Sequence, residues 1–170
     1  FEPGQPASLG LEELAEGGAT GRLADELAAV TRDAVTVEGL LGPGQSVTTQ
    51  VQGQPQRHTL SVAAMLIPTN DPFMALDGVA LPRNRDAAVY YAPAYDAGTE
   101  ANSQDCAQMP GPRCDGEGFN PERPVDVEGY VHIGNGFHQL DGPAEVEILG
   151  PAVYDWRNPV ARITVTRVRQ

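Results

Sequence analysis

Lysine is absent from the 170 residues; the eleven cationic side chains are all arginine, against 23 aspartates and glutamates. The resulting net charge of −12 repels phosphate backbones, and no basic stripe interleaved with aromatics offsets it. Both observations argue against nucleic-acid binding. Direct attraction to anionic lipid is disfavoured as well, unless a divalent cation inverts the local field. Long apolar runs are also lacking. The longest, residues 62–68, falls far short of the about 20 residues a membrane-spanning helix needs. There is no G-x-S-x-G, C-x-x-C or H-E-x-x-H, and no D-x-D-x-D-G loop. Serine-nucleophile, zinc-site and EF-hand chemistry therefore lack their usual motifs.

What is present fits a single domain over residues 1–170, long enough to bury its own core. Hydrophobic residues make up 41%, and Gly 19 with Pro 15 makes the chain rich in loops. The two cysteines, Cys106 and Cys114, sit in CAQMPGPRC, whose Pro-Gly-Pro favours a tight turn. A disulfide between them is favoured over a metal site and implies an oxidising compartment. The chain opens at Phe1 without methionine, as expected of a processed or trimmed species.

The first thirty residues read as two short helices. Ser8 caps the first, which carries Leu11 and Leu14 on one side and stops at Gly17-Gly18. Thr20 caps the second, where Leu23, Leu27 and Val30 recur at helical spacing. Thereafter β-branched and apolar stretches at 35–37, 47–51, 59–67, 87–91, 129–133, 144–149 and 160–168 alternate with Gly- and Pro-rich punctuation. Strands with no helices between them predict antiparallel pairing in a mainly β sandwich. The segment from 96 to 127, rich in Gly, Pro, Asp and Asn, predicts a long loop at one end of that sandwich.

Two acidic loops follow two of these strands: PTNDPFMALDG, with Asn70, Asp71 and Asp77, and APAYDAGTE, with Asp96 and Glu100. Converging loop carboxylates suit Ca2+, which takes six to eight oxygens in irregular geometry. The same aspartates, before Pro or Gly, are also ordinary turn formers.

FEPGQPASLGLEELAEGG, LADEL, HTLSVAAMLIPTNDPF, YDAGTE and the closing YDWRNPVARITVTRV together resemble the spondin N-terminal domain of F-spondin and mindin, and more closely its secreted bacterial relatives. The resemblance implies a C2-like antiparallel β-sandwich that binds calcium and serves extracellular adhesion or matrix binding without catalysis. Asp71 and Asp96 match the family's metal-ligating aspartates, and Asp77 has a counterpart six residues after the first. Three features depart from the family pattern. Gln52 stands where a further acidic ligand is found, Pro72-Phe73 replaces a tryptophan, and the family's first strand is missing from these residues.

Other candidates carry less. His58, His132 and His138 lack the partners of a standard transition-metal motif, although the last two flank the Gly-rich IGNGF. Trp156 could stack on a sugar or wedge the last strand in place, and Phe73, Met74 and Leu76 could form an exposed apolar tip or pack in the core. The expectation is a secreted Ca2+ module whose partner is an extracellular protein, glycan or matrix component. Its alternatives are a homo-oligomeric or filamentous subunit built by strand addition, and a carbohydrate-active hydrolase.

Overall fold

The computed structural model describes residues 1–53, 59–84, 86–122, 127–138 and 148–168. Helix α1 (Leu9–Gly17) starts where Ser8, in extended conformation, accepts the Leu11 N–H on its hydroxyl. It stops where Gly18 takes a left-handed conformation and returns its N–H to the Leu14 carbonyl. Leu11, Leu14 and Ala15 bury its inner side.

Helix α2 (Gly21–Ala28) departs from the sequence reading. Thr20 is itself helical in backbone conformation and makes no side-chain capping bond. Leu23 packs against the core, whereas Leu27 is exposed and Val30 lies beyond the helix end. What ties α2 down is Glu26, whose carboxylate accepts the Gly10 N–H at 2.8 Å and the Ser8 hydroxyl at 2.6 Å. An anion there complements the positive end of α1. Gly10 allows this approach, since a Cβ on it would stand 2.7 Å from the Leu23 backbone.

The strands are β1 (Thr59–Met65), β2 (Pro72–Ala80), β3 (Ala88–Ala92), β4 (Ala94–Asp96), β5 (His132–Ile133) and β6 (Ala161–Val165). They form two antiparallel sheets, β1-β2-β4-β5 and β3-β6. The chain is therefore mainly β with two short N-terminal helices, as its sequence pattern predicts. The free side of β5 is not bare: Gly4 donates to the Val131 carbonyl and Val131 donates to that of Gln5.

Several element assignments are corrected. Residues 72–78, read as part of a loop, belong to the nine-residue strand β2, and 35–37 and 47–51, read as strands, are irregular and largely exposed. β-branched residues alone do not make a strand when no neighbouring strand pairs with them. The 129–133 strand shortens to two residues, and most of the one expected at 144–149 lies outside the described residues. A helix that the sequence did not suggest, α3, covers Pro151–Tyr154.

Two cores result. The first joins Leu11, Leu14 and Ala15 of α1 to Phe73, Ala75, Ala97 and Val131, with the Phe73 ring stacked on Tyr95 at 5.7 Å. Phe73 is thus a core residue and no tip. The second gathers Met109, Cys114, Phe137 and Leu149 with Cys106, Tyr154 and Trp156. Cys106 and Cys114 are disulfide-bonded, so the long 96–127 segment brings a covalent staple to a core it shares with residues from 137 to 156. Asn158, near Trp156 in sequence, ties this region to the sheet: the Ala94 N–H donates to its side-chain oxygen, and its amide donates to the Gly134 carbonyl. Among the described residues no helix is long and apolar enough to cross a membrane.

Candidate metal centre

Register brings the site together. Pro72, next to Asp71, pairs with Asp96 across β2 and β4, and Asp96 pairs with His132 across β4 and β5. Directly opposed residues on neighbouring strands have Cβ atoms roughly 4.5–5.5 Å apart. The register therefore sets Asp96 beside His132, with Asp71 next to the paired Pro72, at one end of one sheet.

Asp71 is fully buried and organises the turn after β4. Its Oδ2 accepts the N–H of Thr99 at 2.7 Å, the N–H of Glu100 at 3.1 Å and the Thr99 hydroxyl at 3.2 Å. Its Oδ1 accepts from the Asn70 amide, which also donates to the Ala101 carbonyl. Asp96, also buried, accepts the Gly98 N–H at 2.8 Å. Gly98 is required there: its φ is +68°, and a Cβ would fall 2.3 Å from the Tyr130 carbonyl oxygen.

The electrostatics are those of crowded anions. Burial, then the nearby Asp96 charge, pushes Asp71 up to about 7 despite the hydrogen bonds it accepts. Burial likewise raises Asp96, and Glu128 adds to this; bonds from Asn102 and Gly98 and the proximity of His132 oppose it. Glu100 is pushed up to about 8, first by burial and then by Glu16, Asp71, Glu117 and Glu12. Its Oε2 is buried without a hydrogen-bond partner among the described residues.

Of the three aspartates singled out in the sequence, Asp71 and Asp96 are brought together and Asp77 is not. It lies exposed on β2, six residues and roughly 20 Å of extended chain beyond Asp71. Two residues missing from that set join Asp96 instead. Ligating atoms of Asp96, Glu128 and His132 all lie within 4.8 Å of one another. No motif marks Glu128, whose place depends on how the 96–127 segment returns to the sheet. His138 lines the adjoining cavity, and His58 lies outside the described residues.

A profile of the Spondin_N family matches residues 1–109, more than half of the chain, including α1, β1, β2, β4 and both buried aspartates. The chain belongs to the spondin N-terminal domain family. A comparison with curated proteins gives no match. Membership fits an extracellular type of domain, consistent with the Cys106–Cys114 bridge. Glu128 and His132 lie beyond the matched stretch.

Asp71 and Asp96 are buried carboxylates of the kind a hard dication takes, and Asp71 feels the Asp96 charge, but among the described residues the three acid or imidazole ligand atoms found within 4.8 Å of one another come from Asp96, Glu128 and His132 and not from Asp71. Asp71 Oδ2 already accepts three protein hydrogen bonds, which leaves Oδ1 as its better donor to a cation.

Proposed function

We propose that this spondin N-terminal domain is a secreted, non-catalytic module for extracellular adhesion or matrix binding, with Ca2+ fixing its loop end through Asp71 and Asp96. The observation that carries the reading is the mutual burial of these carboxylates: Asp71 is pushed up to about 7 by desolvation and by its neighbour's charge. Buried like charges require either protons or a cation, and extracellular fluid supplies calcium in quantity. The cation would neutralise the repulsion and lock the 97–101 turn, where Asp71 already holds the Thr99 and Glu100 amides. With Gln52 exposed and bonding Asp33 through its backbone, no carboxylate at that position adds to the charge. Fewer charged ligands mean weaker affinity, in keeping with the range of extracellular modules, about 10⁻⁴–10⁻³ M.

The deciding experiment is a thermal melt of the purified protein in chelator and in millimolar Ca2+. Calcium should raise Tm, and Asp71→Ala and Asp96→Ala should each remove the increase. Superimposable curves for the unaltered protein would dismiss the calcium reading.

A further inference from the structure

We infer that Asp96, Glu128 and His132 form a second cation site, selective for a borderline divalent ion of the zinc class and open on one side to a cavity. It differs from the calcium reading in its donors and shares only Asp96 with it.

The imidazole is the first reason. His132 Nδ1 stands 3.0 Å from the Ile133 carbonyl oxygen, an atom that can only accept, so Nδ1 carries the proton. That leaves Nε2 as the atom available to bind. Nε2 is buried, has no hydrogen-bond partner among the described residues, and faces Asp96 Oδ1 at 3.5 Å. With the imidazole neutral, Nε2 and the carboxylate would face each other lone pair to lone pair, and a metal cation between them would turn that repulsion into ligation. A backbone carbonyl holding the other ring nitrogen is the usual way a metal-binding histidine is oriented.

The carboxylates are prepared in the same manner. The Asn102 amide donates to Glu128 Oε1 at 3.1 Å and also hydrogen-bonds Asp96, so one side chain positions both acids. One nitrogen and two oxygens suit zinc and its neighbours, whereas calcium takes oxygen alone.

The third reason is access. A cavity of about 470 Å³ touches all three residues, and its walls include Gln104, His138 and Trp156. Three protein ligands would leave a tetrahedral ion one position for water or an external donor, which the cavity lined by these residues could supply.

Isothermal titration of the intact domain with Zn2+ in calcium-free buffer, together with the visible absorption of added Co2+, tests the site. One ion should bind per chain. His132→Gln and the exposed Glu128→Gln should each weaken binding by at least about 100-fold, because even partners that merely orient ligands are worth 10–100-fold. His138→Gln should bind as the unaltered protein does, and the Co2+ bands should disappear in His132→Gln. Absence of zinc binding, equal binding by His132→Gln, or an equal loss in His138→Gln overturns the proposal. If His132 is instead a protonated partner of Asp96, the titration shows no zinc binding. The calcium-dependent rise in Tm should survive in His132→Gln, so the two sites fail separately: zinc binding without that rise in the unaltered protein sinks only the calcium reading.

Discussion

The carboxylate of Asp71 grips the amide of Thr99, 28 residues away, at 2.7 Å. That bond, with its companion to Glu100, fixes the turn leaving β4 to the start of β2. It makes one buried aspartate both a structural anchor and a candidate ligand.

Removing that anchor should show in two measurements. Asp71→Ala leaves the Thr99 and Glu100 amides without their acceptor, and each unsatisfied buried group costs about 1–3 kcal/mol. Urea denaturation in chelator should report this loss, and the calcium increment should vanish with it. Asp77→Ala, on the exposed part of β2, should stay within about 0.5 kcal/mol of the unaltered protein and keep its calcium response.

Proton binding gives an independent readout. Asp71 is raised from 3.8 to about 7 and Glu100 from 4.5 to about 8, so the folded protein holds these protons more tightly than the unfolded chain does. Their contribution to stability is complete below the ordinary values and is lost as pH rises through the raised ones. The cation-free protein should thus have a lower urea midpoint near about pH 8 than near about pH 5. Calcium should flatten the difference by favouring the ionised pair. A midpoint that rises over this interval in chelator would contradict the buried-acid picture.

Phe73 offers a test of the first core. Its ring is fully buried against Tyr95 and the inner side of α1, so Phe73→Ala should cost about 3–5 kcal/mol. A membrane-docking tip would instead tolerate the change in solution and lose vesicle binding.

The Cys106–Cys114 bridge closes a short ring within the second core. Reduction should lower stability by about 2–3 kcal/mol on the loop-entropy estimate. The effect should fall first on amide exchange around Met109 and Leu149, while β1 and β2 stay protected.

Much of this architecture was legible in the residues. Ser8 and Gly18 bracket α1 with standard capping chemistry, and the alternation at 161–165 gives β6. β2 was hidden because Asn-Asp-Pro resembles the opening of a turn and Phe-Met-Ala-Leu contains no β-branched residue; its strand character comes from pairing on both sides with β1 and β4. The reverse error at 47–51 has the same origin, since valine and threonine there signal a strand that no partner completes. At the site, Asp71 and Asp96 stand out through their loop context, and Asp77 was a matter of spacing that an extended strand carries away. Glu128 was illegible: nothing local distinguishes it, and only the long return from β4 to β5 puts it beside Asp96.

The cavity is walled by two separate parts of the fold. One wall of the cavity, at Pro72 and Asp96, belongs to the sheet, and the other, at Phe137 and Trp156, belongs to the stapled cluster. Asn158 is one tie between these walls, accepting the Ala94 N–H and donating to the Gly134 carbonyl. A guest in this cavity would therefore touch the sheet and the stapled cluster at once.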